Sequence, residues 1–506
     1  MPIYDRAQRV PEWRTFEVPF PHRGASYLLP DARTPDGAAP VLDNFDIDHL
    51  VLKKRWGEKI FGNTVAGRIQ RFVSFLTTQG TRQLVALTTT GMYSYGGGTW
   101  TPRITGLGGV AEAIPSWTAF QNKLIVCNGV NRLYKWDGIT ASASSIVTSP
   151  IARAVGNLGG RVLVGRIDDG AGNIYANRIQ WSDFLLEEAW TGGTSGQADL
   201  IDTNDEIQAF ARLRDQIAIV RKNSLWTASV ADAPLFYRFE RQYDGLGTVA
   251  PGSVVSIPGG VGFLGPDDYY IFNGNSAFPL LPKEYSLRKL IEEQVTLDGL
   301  KRVVADVAPS RGQIWLLIPL GGGTEITHVL VFNYNDRTVR RYDFDWSGLG
   351  VADTSVGTGV WTDFDLSWSA YDIPWSMMTA ATQERILGAN VGSTQPVIYD
   401  PALNDQGAAI VSKWQLPLLN FASREEEGVR GTDLKIVHRV RVIGEQGSSP
   451  FKIRVGYSYD GQTIHWGPYF TMDTSQSEWI YDPSMPTEAM WWTAEILDDS
   501  LNAGAR

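Results

Sequence analysis

Apolar residues occur along most of the chain in short runs that come in pairs, and a polar or glycine-containing turn separates the two runs of each pair. The second run ends on an aromatic residue that is followed closely by Asp, Asn, Ser, Thr or Gly. Two apolar runs joined in this way are typical of a β-hairpin. Seven such hairpins are visible between residues 84 and 399, so the chain is predicted to repeat one structural unit.

The aromatic residues that close the hairpins recur at regular intervals. They are Tyr95, Trp136, Trp181, Trp226, Phe272, Tyr334 and Tyr399. Subtracting these residue numbers gives spacings of 41, 45, 45, 46, 62 and 65, and a repeat of about 40 to 50 residues is the size of a propeller blade. Several hairpins are preceded by a further apolar run, which gives three or four strands per unit. These runs are Ile69–Leu76, Ile207–Leu213, Val254–Val255 and Val303–Val307.

The repeat predicts an all-β fold: a β-propeller of about seven blades, or of six, followed by a C-terminal β-sandwich-like domain. We assign residues 1–44 to an extended N-terminal arm, 45–405 to the propeller and 406–506 to the C-terminal domain. The two long spacings indicate insertions between blades, a helix-like one near 282–300 and one rich in Trp and Asp near 343–376. A series of unrelated β-sandwiches is the alternative architecture.

The composition agrees with a β-rich globular protein of 506 residues, since 43% of them are hydrophobic, 11% are aromatic and 52 are glycine. The net charge of -10 argues against a basic face that wraps nucleic acid, so we expect little affinity for free duplex DNA. The single cysteine, Cys127, lies in an apolar run and is predicted to be buried and unreactive. Neither a signal peptide nor a membrane-spanning run is apparent, which predicts a soluble protein made in a cytoplasm, without membrane insertion.

Motifs for catalysis and metal binding are sparse. The five histidines are too far apart in the sequence to suggest a zinc site, and nucleotide-binding loops and G-x-S-x-G motifs are absent. Ser458–Gly461, with Trp466 beyond it, resembles the Asp-box turns of sialidase propellers, but it lacks the residue between Asp and Gly and occurs once. A plain Asp-Gly hairpin turn between Val455–Tyr457 and Ile464–Trp466 explains the same residues. We therefore predict no catalytic residues, no metal site, no cofactor and no enzymatic activity.

Two further sets of residues are candidates for binding. The acidic clusters Asp168–Asp169, Asp202–Glu206 and Asp363–Asp365 could hold calcium or act as a carboxylate pair in glycoside hydrolysis, although polar propeller loops normally carry such residues. The second set consists of tryptophans outside the predicted hairpins, and we expect a partner to cover their rings. Its members are Trp346, Trp361, Trp368 and Trp375.

Three short stretches carry a resemblance to a known family. They are Asp43–Asp48 leading into Lys53–Gly57, Ile179–Asp183 with Trp190–Thr191, and Val455–Gly461. Together with the repeat, they make the chain resemble the tail hub or nozzle proteins of short-tailed bacteriophages, often called packaged-DNA stabilization proteins. The stretches are distributed over most of the chain, and none of them is a catalytic signature.

The resemblance implies a structural virion protein that is made in the host bacterial cytoplasm and functions in the phage tail. It implies a ring of propeller subunits, a hexamer in this family, that lies below the portal and adaptor, forms part of the DNA-ejection conduit and helps to retain packaged DNA. The implied partners are further copies of the chain, adaptor or portal-proximal proteins, and tail fibre or spike proteins, with transient contact to genome DNA. An acidic conduit would let DNA slide, because it would not bind the phosphates.

A carbohydrate-binding or carbohydrate-active propeller is the alternative from another functional class. In that case the Trp and Asp residues within 343–375 would stack on sugars and hydrogen-bond to them, whereas a packed interface loop is the simpler explanation. A cellular propeller scaffold is a third hypothesis, but the Gly-His and Trp-Asp pairs of WD repeats do not recur in this sequence. A glycan array or a hydrolysis screen separates the carbohydrate hypothesis from the other two.

Overall fold

The computed structural model describes most of the chain, and it consists mainly of β-strands. The described residues are 15, 17–18, 21–35, 37–48, 51–355, 382–401, 404–420, 434–443, 450–472, 478–483 and 488–499. Within them the helical elements are α1 Arg288–Gln294, α2 Leu297–Leu300 and the 3-10 turns Asp31–Arg33, Pro251–Ser253, Lys283–Tyr285 and Pro309–Arg311. None of these described helices is long and apolar enough to span a bilayer.

Four short strands precede the propeller repeat, and we call their segment, residues 41–60, the strap. They are β1 Val41–Asp43, β2 Phe45–Asp48, β3 Val51–Lys54 and β4 Gly57–Ile60. β2 and β3 form a hairpin with each other, whereas β1 and β4 pair with strands from distant parts of the chain. The strap therefore connects elements that are far apart in the sequence.

Seven four-stranded antiparallel units form the blades of a propeller: four are separate sheets, two lie in one eight-stranded sheet, and one lies in a ten-stranded sheet. Blade one contains β5 Ile69–Leu76, β6 Arg82–Thr88, β7 Gly91–Gly96 and β8 Thr99–Thr105, and blade two contains β9 Ser116–Phe120, β10 Lys123–Cys127, β11 Tyr134–Trp136 and β12 Ser144–Ser145. Blade three contains β13 Ile151–Leu158, β14 Arg161–Asp168, β15 Ile174–Trp181 and β16 Gly196–Asp199, and blade four contains β17 Ile207–Leu213, β18 Gln216–Arg221, β19 Ser224–Val230 and β20 Tyr237–Asp244. Blade five contains β21 Val255–Ile257, β22 Gly260–Leu264, β23 Tyr269–Phe272 and β24 Ala277–Pro279, and blade six contains β25 Val304–Ala308, β26 Gln313–Ile318, β27 His328–Asn333 and β28 Thr338–Tyr342. Blade seven contains β29 Trp346–Ser355, β30 Thr382–Asn390 and β31 Pro396–Asp400. The predicted all-β propeller is confirmed, and all seven predicted hairpins coincide with the second and third strands of the blades.

The strap closes the ring of blades. β4 pairs antiparallel with β31, with Glu58 opposite Tyr399, and so becomes the outermost strand of blade seven. On the inner side, β29 approaches β5 of blade one through a parallel bridge between Leu349 and Arg71. The last blade is thus completed by a strand that precedes the first blade, which leaves no gap between the two ends of the ring.

Glu58 is the polar centre of this closure. It is buried, and its carboxylate accepts hydrogen bonds from Trp346 Nε1 at 2.8 Å, Asn390 Nδ2 at 3.0 Å and Gln406 Nε2 at 2.7 Å. The donors come from β29, from β30 and from the segment that follows β31. Because a buried carboxylate is costly unless donors surround it, these three hydrogen bonds are what allow Glu58 to lie in the core.

Trp346 belongs to this core. Its ring is fully buried between blades six and seven, where it stacks on Phe344 with a centroid distance of 4.3 Å and on Trp315 with one of 6.2 Å. Gly388 lies against the ring, and a Cβ atom at that position would overlap it. The expectation that a partner covers Trp346 is therefore wrong, because the chain itself covers this side chain.

The predicted insertion near 343–376 begins later than expected. Trp346–Ser355 form β29, the innermost strand of blade seven. The sequence did not reveal this strand, because Gly348 and Gly350 interrupt its apolar pattern; both lie against the backbone of β5, where a side chain would not fit. The helix-like insertion near 282–300 contains α1 and α2, which lie between blades five and six.

Two sheets form the C-terminal domain. Its strands are β32 Ser412–Gln415, β33 Val440–Ile443, β34 Phe451–Ser458, β35 His465–Trp466, β36 Phe470–Met472, β37 Glu478–Tyr481 and β38 Trp491–Asp498. β38 lies between β32 and β34, β34 also pairs with β35 and β36, and β33 pairs with β37 in the second sheet. Apolar side chains of both sheets, among them Ile453, Val455 and Tyr481, pack together as the core of a sandwich.

One continuous sheet joins the two domains. β1 pairs parallel with β28 of blade six and antiparallel with β32 of the sandwich, which gives a sheet of ten strands. Next to β1, the buried Arg55 donates to Asn44 Oδ1 at 2.7 Å and to the two carboxylate oxygens of Asp405 at 2.9 and 2.6 Å. The strap therefore fixes the sandwich to the outer edge of blade six.

We expect Glu58→Ala to destabilise the protein by about 2 to 4 kcal/mol, because it leaves the buried indole N–H of Trp346 without its acceptor and removes the hydrogen bonds from Asn390 and Gln406. Denaturant unfolding measures the change, and faster protease cleavage in the strap is expected alongside it. Ile60→Ala is the matched control, since Ile60 lies in the same strand with its side chain 53% exposed, and the expected change is within about 0.5 kcal/mol. Equal unfolding midpoints for the two variants would contradict the role given to Glu58.

Native protein should react very slowly with a thiol reagent. Cys127 lies in β10 and is fully buried, as predicted, and burial raises the pKa of its thiol to about 12. The reactive thiolate is therefore scarce at neutral pH. Labelling followed by mass spectrometry should show modification only after denaturant is added, and rapid modification of the folded chain would argue against this placement.

Candidate interaction surfaces

The tryptophan set predicted from the sequence does not form a surface in the described structure. Trp361, Trp368 and Trp375 lie outside the described residues, and so does the acidic run Asp363–Asp365. Trp346 is described and buried. The described part of the chain therefore places no member of this set at the surface.

The two described acidic clusters form hydrogen bonds within the chain. In Asp168–Asp169, the second carboxylate accepts a hydrogen bond from Asn173 Nδ2 at 2.8 Å, which lowers its pKa. In Asp202–Glu206, the buried Asp205 accepts from Ser224 Oγ at 2.8 Å. Across the ranges that the structure describes, no group of three His, Cys, Asp or Glu side chains could hold a metal ion.

Ser458–Gly461 forms the predicted Asp-Gly hairpin turn. β34 and β35 pair antiparallel on its two sides. Asp460 accepts hydrogen bonds from the backbone amides of Gln462 at 2.9 Å and Thr463 at 2.8 Å, and these bonds lower the pKa of its carboxyl. The carboxylate thus stabilises the turn, in agreement with the plain hairpin interpretation.

Residues 107–114 connect the last strand of blade one with the first strand of blade two, and we call them the plug. Gln70 Nε2, at the start of the innermost strand of blade one, donates to three carbonyl groups of the plug at 2.9 to 3.3 Å. Glu112 accepts from Arg302, which immediately precedes blade six, at 2.5 Å. Ile114 is buried in the cluster between blades six and seven. These contacts carry the plug across the propeller axis.

Ion pairs hold the plug in place. Arg302 pairs with Glu325 as well as with Glu112, and Arg68 reaches the same Glu325 at 2.5 Å. The hydrogen bond from Arg302 lowers the pKa of Glu112. Arg153 of blade three also donates to the Glu112 carbonyl at 3.4 Å. The plug is therefore bonded to blades one and three and to the segment that leads into blade six.

Five large apolar side chains are exposed on blades three and four, and we call them the propeller patch: Phe184, Leu185, Leu186, Val230 and Leu235. Each is between 47% and 69% exposed. They lie at or next to the connections between the third and fourth strands of the two blades, which are at the opposite end of the propeller from the plug. A cluster of exposed apolar side chains on a protein surface typically marks a site that binds another molecule.

The propeller patch is held rigidly. Arg161 lies over the rings of Phe184 and Phe236, with distances of 5.3 and 4.8 Å to their centroids, and so joins the connections of the two blades. The Leu185 amide donates to the Gly160 carbonyl at 2.8 Å. Leu185 and Phe236 have φ values of 59° and 58°, a left-handed conformation that is unfavourable for large side chains. The Arg161 contacts and the Leu185 hydrogen bond thus connect the segments that carry the patch.

The propeller patch could not be recognised from the sequence pattern. Its signal was the apolar run Phe184–Leu186, shortly after Trp181, at a connection between strands where a polar turn is expected. Such a run is normally assigned to the core, and only the fold shows that it lies outside a complete blade.

The chain was compared with known proteins. No family model matches the sequence, and no curated protein matches it. Solved structures with a similar fold include the extracellular domain of a hybrid two-component system from B. thetaiotaomicron (10% identity, TM-score 0.41, 68% of this chain and 39% of that one). They also include BamB from Moraxella catarrhalis (11%, 0.35, 71% and 96%) and the WD40 domain of Pan2 from Neurospora crassa (10%, 0.38, 68% and 94%). This chain thus spans well under two thirds of the first of these proteins. The propeller assignment rests on the seven four-stranded units of this chain.

Proposed function

We propose that this chain is a structural subunit of a short-tailed bacteriophage tail, a hub or nozzle protein whose ring forms part of the DNA-ejection conduit and helps to retain packaged DNA. The observation that carries the proposal is the strap. The first stretch of the family resemblance, Asp43–Asp48 with Lys53–Gly57, lies within it. The resemblance therefore falls on residues that determine how the two domains are joined.

A fixed connection between propeller and sandwich supports a mechanical role. Lys54 forms a buried ion pair with Asp498 at 3.2 Å, and Asp46 pairs with Arg340 of blade six. The ten-stranded sheet passes through the same region. A subunit that withstands the pressure of packaged DNA must not bend between its domains, and this arrangement resists such bending.

The plug determines how a conduit could be built from this chain. Since residues 107–114 cross the axis of the propeller, DNA would pass along the axis of a ring of subunits and beside each propeller. The net charge of -10 is consistent with such a passage, because an acidic wall does not retain phosphates by releasing their counterions. The proposal assigns no catalytic step to the chain and no cofactor.

A carbohydrate-binding protein is the second candidate, and one described feature favours it. Three aromatic side chains of the sandwich, Tyr459, Tyr469 and Phe470, are exposed, and exposed aromatic rings can stack on sugars. However, the Tyr469 hydroxyl is already engaged, since it donates to Glu495 at 2.5 Å. The structural role remains the better supported of the two.

A reconstruction of the parent particle tests the proposed function. The expected result is a ring of this chain around the tail axis, between the portal-proximal proteins and the fibres or spikes. The sequence does not count the subunits; six comes from the family resemblance. Density for this chain in a peripheral fibre, as a single copy, or in no virion at all would refute the proposal.

A glycan array with the purified chain tests the alternative. We expect no saturable binding and no hydrolysis of the arrayed glycans. Tyr459→Ala is the informative variant, because Tyr459 is 53% exposed and its loss should not unfold the domain. Binding by the wild-type chain that this variant loses would favour the carbohydrate hypothesis over the structural one.

A further inference from the structure

The chain contains two Asn-Gly pairs, Asn128–Gly129 and Asn273–Gly274. Asn128 directly follows β10 and Asn273 directly follows β23, so each pair begins a connection between two strands of a blade. Asparagine is chemically labile, because the backbone nitrogen of the next residue can attack its side-chain carbonyl carbon. Glycine has no side chain to obstruct that attack. The surroundings of the two pairs therefore decide which of them reacts.

Asn273 is exposed and lies in the connection between β23 and β24. Its backbone amide closes this turn by donating to the Ser276 carbonyl at 3.1 Å, and its Oδ1 accepts from the amides of Asn275 at 3.0 Å and Ser276 at 2.9 Å. Within the described part of the chain, neither the Gly274 amide nor the Nδ2 group of Asn273 donates a hydrogen bond. The attacking nitrogen and the group that would leave are thus both unbound.

The same turn can stabilise the charge that the attack creates. When the Gly274 nitrogen bonds to Cγ of Asn273, Oδ1 becomes an oxyanion. The amides of Asn275 and Ser276 already point at this oxygen, at distances typical of backbone donors that stabilise an oxyanion. The turn therefore presents a nucleophile, a leaving group and two oxyanion donors together.

The pair at Asn128 has the same oxygen contacts but a different nitrogen environment. Asn128 is only 5% exposed, and its Oδ1 accepts from the amides of Val130 at 3.1 Å and Asn131 at 2.8 Å. The Gly129 amide, however, donates to the Ala152 carbonyl at 3.0 Å, and Asn128 Nδ2 donates to Asn131 Oδ1 at 3.0 Å. Attack at Asn128 would require both bonds to break, so the fold protects this residue.

We propose that Asn273 is a site of spontaneous covalent modification, which converts it to aspartate and isoaspartate in the folded protein while Asn128 stays intact. The Gly274 nitrogen bonds to Cγ, the bond from Cγ to Nδ2 breaks, and Nδ2 leaves as ammonia after taking up the proton that the Gly274 amide loses. Water then opens the resulting cyclic imide. Opening at Cγ gives aspartate, and opening at the main-chain carbonyl gives isoaspartate, in which the backbone runs through the former side chain.

The modification alters the outer edge of blade five. Either product carries a carboxylate at residue 273, and the isoaspartyl product also adds a methylene group to the main chain of the turn. The hydrogen bond from the residue 273 amide to Ser276 would then be disturbed, and β24, the outermost strand of this blade, follows directly. Leu213 of blade four lies beside Gly274, so the change occurs next to a neighbouring blade. The inference does not depend on the proposed function.

Incubation of the full chain in mildly alkaline buffer tests the proposal. Samples taken over time are digested at mildly acidic pH, which limits reaction during digestion, and mapped by chromatography and mass spectrometry. The peptide that contains Asn273 should gain the mass difference between an amide and a carboxyl group and should separate into two products. The peptide that contains Asn128 should react roughly tenfold more slowly or less, because its reaction requires local opening of blade two.

The same incubation in denaturant is the matched control. Both residues precede glycine, so without the fold they should react at similar rates, and the difference between the native rates then reports the structure. Asn273→Gln is the control for assignment of the site, since attack on its longer side chain forms a less favourable ring. The native variant should lose the modification at residue 273 and keep Asn128 intact.

Two outcomes would overturn the inference. Equal rates at Asn128 and Asn273 in the native chain would show that the dipeptide sequence alone determines the reaction. An intact Asn273 in native protein, after the denatured chain has reacted at both positions, would show that the β23–β24 turn protects its asparagine as well.

Discussion

A propeller is stable only when its last blade is joined to its first, because each blade buries its two faces against its neighbours and an open ring would expose two of them. In this chain the join depends on β4, a strand that precedes the first blade and completes the seventh. Glu58 accepts three hydrogen bonds at that position. The closure of the ring therefore depends on a few contacts between residues that are far apart in the sequence. The same closure buries Trp346 and Phe344.

The same strap gives the protein its two-domain form. β1 continues blade six into the sandwich, and Arg55 ties the strap to Asp405 on the chain that leaves blade seven. Closure of the propeller and attachment of the sandwich are therefore coupled, since both depend on residues 41–60. The sandwich cannot separate from blade six without breaking the pairing of β1, which lies in the same strap as β4.

Local features of the fold could be predicted from the sequence, and non-local ones could not. A hairpin such as Leu124–Trp136 is encoded by adjacent apolar runs and an Asn-Gly turn, so its pattern is sufficient. The pairing of Glu58 with Tyr399 leaves no local pattern. The innermost strand of blade seven resembles an insertion in the sequence because Gly348 and Gly350 break its alternation, and Trp346 then resembles a surface residue.

The connections that carry the propeller patch differ in composition from the equivalent connections of blades one and five. The fold of a blade therefore does not require the patch. The equivalent connection is Gly97–Gly98 in blade one and Asn273–Ser276 in blade five, and both are small or polar turns. Blades three and four instead expose large apolar residues, with Leu185 held in an unfavourable backbone conformation. A turn of the blade-one type would complete these blades without exposing apolar surface. The large apolar residues at these connections are therefore not required to complete the blades.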